Sequence, residues 1–206
     1  MRSVTFSWLE SPSAGPAEQL RFDEELLIQG RPVLRLWEAA QECVVLGYAG
    51  HAERDVHMSA CDRAGVPILR RCSGGSAVLL APGCLNYSLV LPLECEPKWR
   101  EVRYSLEWTM KRMCRALGLA GLRHEAHSDL ALHKRKVSGN AQRRTQHAIL
   151  HHGTLLYDFD AARTEHFLKP PVREPRYRAG RSHADFLGNL PLTPAQIRQR
   201  LMEAWC

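Results

Sequence analysis

Between positions 66 and 91 three runs with strand-type residues, Val66–Arg71, Ala77–Leu80 and Leu85–Leu91, are separated only by Cys72-Ser73-Gly74-Gly75-Ser76 and Ala81-Pro82-Gly83-Cys84. Breaks this short leave no room for a crossover helix, so the runs are expected to pair antiparallel as a meander. On either side the apolar period lengthens to that of a helix. Trp99–Gly118 carries Val102, Leu106, Met110, Met113 and Leu117 at spacings of three and four, a stripe that has to cover a core. Pro16–Gly30 has Pro in its first turn, Leu20, Leu26 and Leu27 along it and Gly at its end. Ala52–Ala64 places Val56, Ala60 and Ala64 four apart, and Thr193-Pro194 caps a last helix through Ile197, Leu201 and Trp205. Asp129–His133 and Gln146–Tyr157 read as strands flanking a basic stretch, Lys134–Arg144, with a turn at Ser138-Gly139. The pattern predicts an α+β fold, a mainly antiparallel sheet flanked by helices rather than a series of βαβ units, in one domain over residues 1–206.

The 206 residues are 45% hydrophobic and 24% charged, enough for a packed core and incompatible with wholesale disorder or a coiled-coil rod. The longest apolar runs, about four to six residues, fall far short of the ~20 that cross a bilayer. The N-terminus lacks the cationic start and unbroken apolar stretch of a secretory signal. Seven cysteines, an odd number without a CxxC pair, are expected to be reduced thiols in a cytoplasmic protein. The net charge of +6 suits an acidic or phosphate-bearing ligand. The arginines at 143, 144, 173, 176, 178 and 181 have only Tyr177 among them, too sparse an aromatic content for a nucleic-acid module. Neither nucleic acid nor membrane is expected as a partner.

Three segments carry chemistry. In Arg70-Arg71-Cys72-Ser73-Gly74-Gly75-Ser76-Ala77 the glycines allow close backbone approach to a ligand, their amides can face an anion, and the arginines offer charged forks. The same segment also suits a plain hairpin with exposed arginines. In Asp129–Gly139 an acid opens a strand and Lys136 precedes Ser138-Gly139, so the lysine can reach toward whatever the Gly-rich loop holds; a basic solvent-facing turn is the alternative. In Leu150-His151-His152-Gly153-Thr154 consecutive strand residues face opposite ways, so at most one histidine enters a site. His124 and His127 have no cysteine between 115 and 205 to complete a Cys/His zinc set.

In this order the segments resemble the lipoate-protein ligase A family, within the wider group of biotin and lipoate ligases and octanoyltransferases. The matching residues are Arg70-Arg71-x-Ser73-Gly74-Gly75-x-Ala77-Val78, Gly83-x-Leu85-Asn86-Tyr87-Ser88, Asp129-Leu130, Arg135-Lys136-Val137-Ser138-Gly139-x-Ala141-Gln142-Arg143-Arg144, and Leu150-His151-His152-Gly153-Thr154-Leu155-Leu156. Tyr177–His183 is similar to the family's downstream arginine segment, and the resemblance runs from about Trp37 to Leu192. It implies activation of lipoate, or octanoate, with Mg2+ and ATP to an acyl-adenylate, then transfer to a lysine of a lipoyl-domain protein. Lys136 would act electrostatically on the acyl carbonyl and phosphate. Arg70, Arg71, Ser73, Gly74, Gly75, Ser76, Ala77, Asn86, Asp129, Ser138, Gly139, Ala141, His152, Gly153 and Thr154 would bind acyl group and nucleotide, with Asp129 also placed to hold magnesium. Val78, Leu80 and Tyr87 would line the acyl tunnel.

The ligase pattern departs at Ser76, where a third glycine is usual, at Leu80-Ala81 in place of a His-Asp pair, and at Cys84 and Ser128 in place of asparagines. No small C-terminal accessory domain is expected within the chain, which implies a separately encoded one. Two other readings follow. One is an ATP-independent octanoyl or lipoyl transferase, whose relatives carry a cysteine nucleophile just before the Asp129 position, where this chain has no thiol. The other is a non-catalytic module that binds lipoyl domains. The Gly-Arg-Gly-Arg type loop of biotin ligases is absent.

Overall fold

The computed structural model describes residues 4–11 and 14–206. In chain order its elements are β1 (Ser7–Glu10), α1 (Pro16–Gln29), β2 (Val33–Glu38), β3 (Cys43–Leu46), α2 (Ala52–Asp55), α3 (Met58–Ala64), β4 (Ile68–Arg70), β5 (Val78–Leu80) and β6 (Cys84–Pro92). They continue with α4 (Val102–Leu117), β7 (Arg123–Glu125), β8 (Asp129–Leu132), β9 (Arg135–Arg144), β10 (Ala148–Leu156), α5 (Ala161–Phe167), α6 (His183–Phe186) and α7 (Pro194–Trp205). Seven strands form one sheet in the order β1-β2-β6-β10-β9-β8-β7, and β4-β3-β5 form a second. The α+β architecture with mainly antiparallel pairing is as expected.

Strand β6 is the centre of the large sheet, and all nine of its residues are buried. Opposed residues of an antiparallel pair project to the same side. Tyr87 with Gly153, Leu89 with His151 and Leu91 with Ile149 therefore share one face, and Asn86 with Thr154 and Ser88 with His152 share the other. The first face packs against α4 and α7 through Leu89, Leu91, Met110, Met113, Ile197 and Trp205. The second is covered at one end by α1, whose Leu26 and Leu27 meet Val90 and Leu150. At the other end the small sheet packs Val44, Val45 and Leu80 against Trp37, Cys84 and Leu156. Between these two covers the polar residues of β6 and β10 form a floor.

The helices end where the sequence says they should. Gly30 and Gly118 close α1 and α4 in the left-handed conformation, and Thr193 with Gln196 forms a capping box on α7. Three expectations change. The runs after Val66 do not form a meander: β4 and β5 both flank β3, and β6 leaves for the other sheet. The long β6 finds its partners in β2 and β10, whereas the short β3 pairs with the equally short β4 and β5. Two parallel pairs, β1 with β2 and β3 with β4, add crossover units that the pattern had argued against. Finally, Lys134–Arg144 is not a loop. His133 and Lys134, both at positive φ, make the two-residue turn, and Arg135–Arg144 runs on as a strand paired with β8 and β10. Ser138-Gly139 stays extended because Leu130, Leu132 and Val137 must all reach the main core.

A buried ion pair ties α1 to the sheet. Asp23 is 2% exposed and Arg35 fully buried; the carboxylate accepts from the Arg35 guanidinium and from Ser88 Oγ (2.7 Å). Arg35 also donates to the Gln19 carbonyl (2.9 Å). Burial alone raises the Asp23 carboxyl pKa, but His152, Arg35 and Ser88 together hold it below its ordinary value. On the opposite face His151 accepts from Gln142 Nε2 (3.2 Å) and contacts Tyr87 Oη (3.1 Å), and burial lowers its pKa to about 3. The unfolded chain takes up a proton at this histidine near pH 6.5, whereas the folded chain resists until about 3. Stability is thus fully present at neutral pH and falls as the pH drops through that window, by up to about 1.4 kcal/mol per pH unit for this group. Asp23 adds to the loss below its ordinary pKa of 3.8. Urea unfolding at pH 7 and pH 4 checks this, and equal stabilities would contradict a neutral buried His151.

Candidate active site

Above the polar floor lies a cavity of about 530 Å³, within the range of small-molecule sites. Its floor is Asn86, Ser88, His152 and Thr154. One wall is the Gly-rich loop and β5, another is β9 with Lys136, Ser138, Gly139 and Ala141, and the roof comes from Pro171–Arg178. Leu20, Trp37, Val78, Leu80 and Leu156 make its apolar part. Of the expected site residues, Arg70, Ser73 and Gly74 do not line it; the others do.

The arginines of the loop hold protein carbonyls. Arg71 donates from Nη2 to the Gly74 (2.7 Å) and Ser76 (2.9 Å) carbonyls, from Nη1 to that of Val45 (3.2 Å) and from Nε to Ser73 Oγ (3.1 Å). Burial lowers its pKa to about 10. Arg70 Nη1 gathers the carbonyls of Gly47, Tyr48 and Gly50 at 2.8, 2.8 and 3.0 Å. With their carbonyls engaged by Arg71, Gly74 and Ser76, like Gly75 between them, have amides that donate to no protein group among the described residues, and Gly75 and Ser76 line the cavity, so these amides are available to an anion. Gly47 has to be glycine, since any Cβ there would overlap the carbonyl of Gly75.

Lys136 Nζ lies 2.8 Å from Asp129 Oδ1, and Tyr177 donates to Asp129 Oδ2 (2.8 Å). The lysine side chain passes over Gly139, where an added Cβ would sit 2.9 Å from both Cε and Nζ. This explains the lysine-x-x-glycine spacing: the glycine is the space the ammonium occupies. Both carboxylate oxygens of Asp129 are thus engaged, and among the described residues no three His, Cys, Asp or Glu converge as a metal cage. The described residues therefore offer no all-protein cage for a resident magnesium, and Asp129 is the ion-pair partner of Lys136.

His152 faces the cavity and His151 the opposite side of the sheet, as strand alternation requires. Residues missed in the sequence are Asp23, Arg35 and Tyr177. A signal existed for the first two. Asp23 falls on the apolar stripe between Leu20 and Leu27, and Arg35 interrupts Val33-Leu34-x-Leu36-Trp37. A charge on a buried stripe requires a buried partner. Nothing in Arg176-Tyr177-Arg178 singles out the tyrosine.

The pattern of the lipoyl protein ligase A/B catalytic domain matches residues 15–205. The chain belongs to that family. A protein of Aeropyrum pernix named as a lipoate-protein ligase A is 29% identical over 203 residues, 96% of this chain and 73% of its own length. An octanoyltransferase LipM of Exiguobacterium is 28% identical over 190 residues, 78% of this chain and 68% of its own. Among solved structures, the bi-partite lipoate protein ligase of Thermoplasma acidophilum superposes with a TM-score of 0.83 at 22% identity, covering 98% of this chain and 82% of that one. An ATP-bound lipoate-protein ligase A gives 0.77 at 21%, covering 97% and 83%. The family therefore includes both ligases and transferases among this chain's relatives, and the fold is that of the ligases. No helix among the described residues is long and apolar enough to cross a membrane.

Gly139→Ala should fold normally, because the group it displaces is the far end of a flexible side chain, and should cost roughly tenfold or more in family activity by moving the Lys136 ammonium. Gly47→Ala should lose activity together with order in the loop, since its clash is with backbone. Circular dichroism, loop-amide NMR and activity separate the two.

Proposed function

We propose that this chain attaches lipoate, or octanoate, to a lysine of a lipoyl-domain protein by way of an acyl-adenylate made from ATP. The observation that carries the reading is one cavity lined by an apolar end, by Gly75 and Ser76, whose amides have no protein acceptor among the described residues, and by Lys136. In the first step an oxygen of the acyl carboxylate bonds to the α-phosphorus of ATP and pyrophosphate leaves. In the second the neutral amine of the acceptor lysine attacks the acyl carbonyl, AMP leaves, and the amine's proton goes to solvent. Loop amides and Lys136 oppose negative charge on the phosphate and on the carbonyl oxygen, the kind of fixed electrostatic help that supplies ~10²- to 10³-fold. Magnesium would arrive with the nucleotide.

The transferase reading has the LipM relatives behind it but needs a thiolate. No cysteine lines the cavity among the described residues. Burial raises the pKa of Cys72 to about 11 and of Cys43 to about 12, and pushes Cys84 well up, the opposite of an activated nucleophile. These inert thiols support the adenylate route.

Two incubations test this: ATP, magnesium, lipoate and a lipoyl domain, or octanoyl carrier protein and the same domain without ATP. Each is run with and without a separately supplied accessory domain, as in the bi-partite relative, and is read by mass spectrometry of the acceptor lysine. Modification in the first mixture is expected, with Lys136→Ala reducing it at least a hundredfold while the fold persists. Modification only in the second would discard adenylation. Binding of the domain without modification in either would leave a recognition module.

A further inference from the structure

Beneath the Gly-rich loop three residues remote in sequence form a chain of hydrogen bonds that the steps above do not use. Ser73 Oγ lies 2.6 Å from His152 Nε2, and His152 Nδ1 lies 3.2 Å from Asp23 Oδ2. Asp23 Oδ1 is taken by Arg35 and Ser88. This is the constellation of a Ser-His-Asp triad, but the serine is 1% exposed and does not line the cavity. It has no access to an acyl group and is no nucleophile. What the chain does is fix a loop.

Asp23, ionised against a buried guanidinium, can only accept, so the imidazole proton is drawn to Nδ1 and Nε2 is left as an acceptor. Ser73 Oγ already accepts from Arg71 Nε, so its hydroxyl proton is free to point at Nε2. Of the two neutral tautomers, only this one gives every donor in the chain an acceptor. With the proton on Nε2, two N–H groups would converge on Ser73 Oγ, the hydroxyl proton would lose its acceptor and Asp23 would face a lone pair. Ser73 also receives the Tyr48 amide at its carbonyl (2.8 Å), so its side chain is the pin between the loop and the sheet floor.

We propose that Asp23 is a positioning residue of the active site: by fixing the His152 tautomer it holds Ser73, and through Ser73 the orientation of the amides at 74–76. The inference rests on reading those amides as the cradle for the anionic part of the activated acyl group. It predicts that the identity of one buried acid on α1 governs affinity for the adenylate through His152 and Ser73.

The test uses 15N-imidazole spectra, 15N relaxation of the loop amides and binding of a sulfamoyl analogue of lipoyl-adenylate. The wild type should show a proton on Nδ1 and an unprotonated Nε2. Asp23→Asn should move the proton to Nε2, raise the mobility of the amides at 74–76 and weaken the analogue about tenfold or more. Asp23→Asn also breaks a buried ion pair and can fail to fold, so two further variants carry the question. His152→Gln, whose amide oxygen accepts from Ser73 whatever Asp23 does, should keep the loop ordered, whereas His152→Ala should release it. A wild-type proton on Nε2, or equal loop relaxation in His152→Gln and His152→Ala, would overturn the relay. A wild type that does not bind the analogue would remove the adenylate reading and leave the relay to be judged by the spectra.

Discussion

The ion pair of Asp23 and Arg35 is the constraint on which the site rests. Two full charges withdrawn from water are stable only when their remaining hydrogen-bonding capacity is met, and removing one partner of such a pair costs about 3–5 kcal/mol. Here the capacity is met by Gln19 on the same helix, Ser88 on β6 and His152 on β10. The pair thereby fixes α1 against three strands at the place where the cover over the sheet parts to form a cavity. An all-apolar contact between α1 and the sheet would pack as well, but it would have no directional hold on His152.

A second constraint is the disposition of loop carbonyls. A backbone with consecutive glycines can present either its amides or its carbonyls to a ligand, and entropy favours neither. Arg71 decides it by binding the carbonyls of Gly74 and Ser76 from behind. The sequence shows two arginines beside a glycine pair, and the direct reading is that the arginines meet the anion. In the structure Arg71 lines the cavity and at the same time organises the peptide, while Arg70 holds the carbonyls of Gly47, Tyr48 and Gly50. Local chemistry was legible and its direction was not, since direction depends on Val45 and Gly47, which the loop reaches only after folding back.

The same distinction separates the other readings. Helices α1, α4 and α7 follow from stripes and caps, which are local. His152 was identifiable because neighbouring strand residues face opposite ways, whereas Lys136 and Gly139 were identifiable from the Arg-Lys-x-Ser-Gly order they share with the ligases. The meander failed because pairing is not local: β6 pairs with β2 and β10, remote in sequence, whatever the length of its preceding turn. The turn at Ser138-Gly139 failed for a related reason. Two residues without the usual turn composition, His133 and Lys134, accept positive φ because doing so keeps Leu130, Leu132 and Val137 in the core, and the Lys134 carbonyl is held by Arg181 (2.9 Å).

Leu80 and Ala81 stand where the ligase pattern carries a His-Asp pair. Both are buried, at 3% and 7% exposure, within the cluster that includes Val44, Val45 and Cys84. A polar pair there would need partners for its hydrogen bonds, and the cluster around it is almost wholly apolar. Polar groups over the rest of the cavity come from β9 and from the roof. Arg173 lines it without an ion-pair partner among the described residues, and Arg178 is held by Glu174 (3.4 Å) and the Arg181 carbonyl (2.9 Å). What Leu80 supplies at this wall is apolar surface: with Val78 and Leu156 it lines the cavity beside the polar floor of Asn86, His152 and Thr154.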